Sequence, residues 1–191
     1  MNKSMSSDFE YPIAEFIKSR RSRRSYAEQE VKQEVINTLF EAARWAPSSM
    51  NEQPWRYLYA TKNNVQLWDK IFDTLMDGNK IWAKHAPLLV VSLAKKNFDR
   101  NGRPNHSARY DLGAANALLS IQATELGLNV HQMGGFDAVK VRENLGIGED
   151  YEPVVIMAIG YPGSADQLPD ALRERELAPR FRISQSEFVL N

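Results

Sequence analysis

Residues 106 to 127, HSARYDLGAANALLSIQATELG, set the strongest limit on how this chain can fold. Small or apolar side chains occupy most of the circumference at helical spacing, and Gly127 stands where a helix C-cap belongs. A helix apolar on nearly every side must be buried on nearly every side. In a chain of 191 residues this sets the expectation that one face of the helix meets another subunit.

The partners for such a helix are legible on either side of it. PLLVVSL (87–93) and PVVIMAIG (153–160) are apolar without alternation, as strands buried between helices should be. WRYLYAT (55–61) and LNVHQ (128–132) read as further strands. Residues 31–45 form an amphipathic helix, with Val31, Val35, Leu39 and Ala42 on one stripe, Ile36, Phe40 and Ala43 beside it, and Pro47 as its stop. Helical spacing resumes over 64–77 through Val65, Trp68, Ile71, Phe72 and Leu75, and again over 137–146, closed by Gly146. A short helix with Ile13, Phe16 and Ile17 delivers the arginines that follow it. With no internal repeat and no composition break, residues 1–191 are expected to form a single domain. Residues 1–10 are expected to be loose, and 165–191 a polar arm. That arm ends in EFVL, an apolar tip suited to docking on a second subunit.

Composition narrows the function classes. Lysine plus arginine equals aspartate plus glutamate at 24 each, so no basic surface for nucleic acid is expected. The absence of cysteine excludes disulfides, thiolate metal sites and thiol nucleophiles. His85, His106 and His131 show no metal-ligand spacing, and no metal site is expected. Neither a GxSxG elbow nor a Walker motif occurs. The N-terminus lacks the apolar stretch of a secretion signal, and the longest apolar run, APLLVVSLA (86–94), is too short to span a bilayer. The expectation is a cytoplasmic protein that binds neither membrane nor nucleic acid.

Four short stretches carry polar chemistry. SRRSRRSY (19–26) concentrates four arginines in a chain of zero net charge, which points to a local anion. APSSMNEQPWRY (46–57) crowds two serines, Asn51 and Gln53 between two prolines; it suits either a polar capping turn or a rigid rack for a flat heterocycle. HQMGGFD (131–137) pairs two glycines after a strand, either a plain turn or a place where a ligand meets exposed backbone N–H groups. APRFRIS (178–184) puts Arg180 and Arg182 two residues apart; if the segment is extended, both guanidiniums point to one side, and otherwise it is a solvated charged tail.

Together and in this order, these stretches resemble the FMN-dependent nitroreductase family over about residues 11–190. The matching features are Arg20–x–Ser22–x–Arg24; Pro47, Ser48 and Ser49 leading to Asn51–x–Gln53–Pro54–Trp55; and the small-residue helix over 110–127. Gly134–Gly135–Phe136–Asp137, Gly160–Tyr161–Pro162 and the basic pair Arg180 and Arg182 complete the match. The resemblance implies an α+β nitroreductase-like fold, a mixed and mostly antiparallel sheet flanked by helices, in an intertwined homodimer with a swapped C-terminal arm.

Position by position, it implies that Arg20, Ser22, Arg180 and Arg182 hold the FMN phosphate, with Arg21 along the ribityl chain and Arg24 near the N1/O2 side of the flavin ring. Pro47, Ser48, Ser49 and Asn51 would approach the flavin from the other subunit. Asn79 would lie against the pyrimidine ring, the amides of Gly134 and Gly135 would face N5 and O4, and Arg23 would be solvated. The implied activity is ping-pong hydride transfer from NADH or NADPH through FMN to a small nitroaromatic, quinone or enone-type acceptor, with no catalytic side chain. Dehalogenation or flavin breakdown on the same scaffold, and a non-enzymatic anion-binding role, stay open as alternatives.

Overall fold

The computed structural model describes residues 5–190, so the outermost parts of the N-terminal segment and of the C-terminal arm, residues 1–4 and 191, lie outside it. The chain runs β1 (Met5–Ser6), α1 (Glu15–Ser19), α2 (Gln33–Arg44), β2 (Trp55–Thr61), α3 (Val65–Asp73), α4 (Asp77–Ala83) and β3 (Leu88–Lys95). It continues through α5 (Ala108–Glu125), β4 (Asn129–Met133), α6 (Ala138–Leu145), β5 (Tyr151–Gly160), α7 (Asp170–Leu177) and β6 (Arg182–Ile183).

The central sheet has the order β2-β3-β5-β4, and every pairing in it is antiparallel. The mixed sheet implied by the resemblance is therefore not what the described residues form: β5 enters between β3 and β4 and runs opposite to both. Both faces are covered. Leu88, Val90, Met157 and Ile159 face α2 and α5, whereas Leu89, Val91, Ile156 and Ala158 face α3, α4 and α6. This two-sided burial is why β3 and β5 lack alternation, and each buried aliphatic side chain contributes about 1.5–3 kcal/mol.

The spacing over 64–77 predicts one helix, but the structure ends α3 at Asp73 and starts α4 at Asp77. The interruption has a tertiary cause: Thr74 O accepts from Asp137 N (2.8 Å), Met76 N donates to Gly135 O (3.0 Å), and Leu75 bridges Phe136. Those backbone groups serve the neighbouring segment instead of the helix.

Two further expectations change in detail. β1 pairs antiparallel with β6, so the N-terminal segment read as loose is tied at residues 5–6 to the C-terminal arm of its own chain. On α5, Leu112, Ala115, Leu119 and Ala123 are buried, but Tyr110, Gly113 and Ala117 face outward, because the sheet and α2 cover only one side.

Candidate functional site

Past the end of α1 the chain leaves helical geometry at Arg20 and runs as irregular backbone to Tyr26. Tyr26 is fully buried, bridges Pro162, and donates its hydroxyl to Ala158 O (3.0 Å) and Arg23 O (3.2 Å). Ala27 N donates to Tyr161 O and Gly163 N to Ser25 O. A Cβ on Gly163 would stand 2.5 Å from the Tyr26 carbonyl carbon, so only glycine permits this approach. The Gly–Tyr–Pro–Gly segment thus braces the arginine segment against the sheet.

The C-terminal arm returns to the same place. Arg180 donates to Arg20 O (2.5 Å) and to Lys18 O, carbonyls at the open end of α1. Arg21 donates back to Ala178 O (2.5 Å). Arg20, Arg180 and Arg182 line one groove of about 460 Å³, and Arg20 and Ser22 line a second of about 310 Å³ with Ser120, Val130 and Gln132. Among the described residues, the guanidiniums of Arg20, Arg21, Arg24, Arg180 and Arg182 have no carboxylate within 4.0 Å. Burial and then Arg182 lower the pKa of Arg20, and burial, then Arg20, Arg21 and Arg182, lower that of Arg180. Guanidiniums remain charged even so, and such mutual repulsion is relieved by a bound anion.

Arg23 departs from its expected place in water. Its side chain is only about a third exposed and reaches to 3.9 Å from the Glu176 carboxylate. Its carbonyl also meets His131 Nδ1 at 3.0 Å. His131 packs on Trp82 with ring centroids 4.5 Å apart, and burial pushes its pKa down to about 4, so near neutral pH the ring is uncharged and Nδ1 donates.

At the end of β4, Asn79 Nδ2 donates to Gly135 O (2.9 Å), so the structure brings together Asn79 and the glycine pair. Among the described residues neither Gly134 N–H nor Gly135 N–H meets a protein acceptor. The serine–asparagine turn lies elsewhere: Pro47, Ser48, Ser49 and Asn51 line neither arginine groove. Buried Asp111 of α5 accepts from Ser49 N (3.1 Å), and Met50, Asn51 and Gln53 all have positive φ, at 54°, 55° and 51°. Three left-handed non-glycine residues in a four-residue span are strained, and such strain concentrates at functional turns.

Sequence reasoning missed Glu176, Ser120, Gln132 and Asp111. Each is a common residue type: Asp111 and Ser120 lie in a helix read for its small residues, Gln132 in a stretch read for its glycines, and Glu176 in none, so only the place in the fold distinguishes them. Among the described residues there is no group of three or more His, Asp or Glu able to hold a metal ion, and no helix is long and apolar enough to cross a membrane.

Residues 17–161 match the model of the Nitroreductase family. The chain is 25% identical over 175 residues to a Stenotrophomonas maltophilia (strain R551-3) protein named "Putative NADH dehydrogenase/NAD(P)H nitroreductase", covering 82% of this chain and 88% of that one. It is similar to a solved structure described as an oxidoreductase containing FMN, with 33% identity, a TM-score of 0.91, and coverage of 100% of this chain and 96% of that chain. A solved FMN-dependent nitroreductase from Clostridium difficile R20291 is 27% identical with a TM-score of 0.67, covering 78% and 87%.

Proposed function

The chain belongs to the nitroreductase family, and from that premise we propose that it is an NAD(P)H-dependent oxidoreductase that seats FMN where the arginine segment meets the C-terminal arm. The observation that carries the reading is the convergence of Arg20, Arg180 and Arg182 on one groove, from segments 160 residues apart; Asp8 and Glu10 also line it, but among the described residues no carboxylate is in ion-pair reach of these guanidiniums. A phosphate monoester carries close to two negative charges and answers such a cluster; guanidiniums can give it several charge-assisted hydrogen bonds.

In this reading Arg20, Ser22, Arg180 and Arg182 hold the phosphate, Arg21 follows the ribityl chain, and Arg24 lies near the ring as a cation that favours added negative charge. Arg180 and Arg21 spend donors on backbone carbonyls of the opposite segment, and Arg182 spends one on Phe181 O (2.8 Å), so Arg20 keeps the most donors for the phosphate. The free amides of Gly134 and Gly135 and the amide of Asn79 offer polar contacts to a flat ring edge. FMN bound there would supply the redox chemistry that links NADH or NADPH to a nitroaromatic, quinone or enone-type acceptor in alternating half-reactions. The chain itself binds, orients and sets the electrostatics, and no side chain is required as a nucleophile.

Pro47, Ser48, Ser49 and Asn51 complete the site from a second copy, in a cytoplasmic homodimer of single-domain chains. The outward face of α5, Tyr110 with Gly113 and Ala117, supports that arrangement, as do the exposed Phe188, Val189 and Leu190 of the arm. The expected preparation is yellow, releases FMN on denaturation, oxidises NADH or NADPH when a quinone or nitroaromatic is added, and sediments as a dimer at micromolar concentration. A colourless protein that also fails to bind added FMN overturns the flavin reading, and a stable monomer overturns the shared site.

A further inference from the structure

The flavin reading assigns work to the arginines but none to the carboxylate standing among them. Glu176, in the last turn of α7, is 3% exposed. Its two oxygens accept from Arg24 N (3.1 and 3.0 Å), and Oε1 also accepts from Ser25 N (3.4 Å) and Ser25 Oγ (3.0 Å). A buried charge of this kind is costly unless its hydrogen bonds are made, and here the backbone of the arginine segment makes them.

Two features separate this from an ordinary structural ion pair. First, Glu176 takes N–H groups rather than guanidiniums; among the described residues Arg23, at 3.9 Å, is the one cation in ion-pair reach, and the guanidiniums of Arg20, Arg24, Arg180 and Arg182 are left without a carboxylate partner. Second, the tie is one of several that run in opposite directions between the same two segments. Arg21 reaches from the segment to Ala178 O on the arm, and Arg180 reaches from the arm to Arg20 O and Lys18 O. On the far side, His131 of β4 holds Arg23 O from the sheet, and the segment's own Tyr26 reaches back to the same carbonyl.

We propose that Glu176 is a positioning residue that fastens the arginine segment to the C-terminal arm, so that Arg20 and Ser22 on one side and Arg182 on the other meet a phosphate as one rigid unit. The inference rests on the flavin reading and deepens it. The two halves of the grip are distant in sequence, and holding them together beforehand removes an ordering cost from binding. The consequence falls most heavily on the phosphate, which takes most of the grip's charge-assisted bonds: Glu176 supports discrimination between FMN and riboflavin, which differ only in that group.

The test titrates flavin-free full-length protein with FMN and with riboflavin, following flavin fluorescence. Glu176→Gln keeps the size and one acceptor oxygen but removes the charge and presents an N–H donor to the segment's own N–H groups. It is expected to raise the Kd for FMN about ten- to a hundredfold and that for riboflavin, through Arg21 and Arg24, by less than about fivefold, and so erase much of the preference for FMN. Ser25→Ala, which removes one donor and leaves the carboxylate in place, is expected to shift FMN alone by about three- to fivefold, and it carries the test if Glu176→Gln fails to fold. Unchanged FMN binding in both variants, or equal weakening of both flavins, overturns the proposal. Failure of the wild-type chain to bind either flavin overturns the flavin reading instead.

Discussion

The arginine segment and the serine–asparagine turn are both polar loops held by a buried carboxylate from a distant helix, yet they are held very differently. Glu176 accepts two backbone N–H groups and a hydroxyl from its loop, whose outer side is gripped in turn by His131. Among the described residues Asp111 accepts only Ser49 N–H, and the turn it supports keeps three left-handed residues, with Met50 68% exposed. The first loop is completed within its own chain. The second is strained and outward-facing, the condition of a surface that waits for something to cover it. In the proposed enzyme the first supplies charge to the phosphate and the second supplies shape to the ring from the partner subunit.

The sharpest way to break that contrast is to compare the two loops as binders. Arg20→Ala combined with Arg182→Ala removes charge-assisted hydrogen bonds worth about 1.5–3 kcal/mol each, so the Kd for FMN is expected to rise more than about a hundredfold. Ser49→Ala removes at most a neutral hydrogen bond of about 1 kcal/mol and is expected to cost less than about tenfold. Fluorescence titration of both variants decides it: comparable losses would mean that charge and shape are not divided between the loops.

A second effect belongs to the arginine segment alone. Burial holds His131 near about 4 in the folded chain, against an ordinary 6.5. Between those values the unfolded chain binds more protons, so stability rises with pH through the window, is complete above about 6.5, and is lost as pH falls to about 4. The span corresponds to up to about 3 kcal/mol. Urea unfolding of flavin-free protein at pH 7 and pH 4.5 should show this loss, and His131→Asn, which keeps a donor for Arg23 O but cannot charge, should flatten it. An undiminished slope in the variant would assign the acid sensitivity to other groups.

How much of this was legible beforehand follows from what each feature depends on. β3 and β5 could be placed because apolar runs of strand length answer to local pattern, and α5 because its small residues repeat at helical spacing. The break between α3 and α4 could not, since it comes from hydrogen bonds to Gly135 and Asp137, some sixty residues on, and Leu75 fits a helical stripe equally well. The two arginine clusters were readable through their spacing and their order along the chain. Glu176 was not: in RERELAPRFR it is one acidic residue among basic ones, and only the folded arm shows that it faces backbone N–H groups rather than water. Arg23 was misplaced for the same reason, because a solvated arginine and one lying beside a buried carboxylate have the same local sequence.

The smallest predicted effect probes the strained turn. Met50 has φ 54°, a conformation that costs a side-chain-bearing residue about 1 kcal/mol and glycine almost nothing. Met50→Gly relieves that cost, while the freer unfolded chain takes back about 0.5–1 kcal/mol. The net change in chain stability is therefore expected to lie within about 0.5 kcal/mol of zero. The same substitution deletes a large apolar side chain that its own chain leaves in water. If a second copy covers it, the dimer loses buried area and dissociates at a higher protein concentration. Sedimentation alongside urea unfolding separates the two effects. A weaker dimer with nearly unchanged chain stability fits a turn shaped for a partner. A clear loss of chain stability with an unaltered dimer would show that Met50 serves its own chain, and the distinction between the two loops would then rest on charge alone.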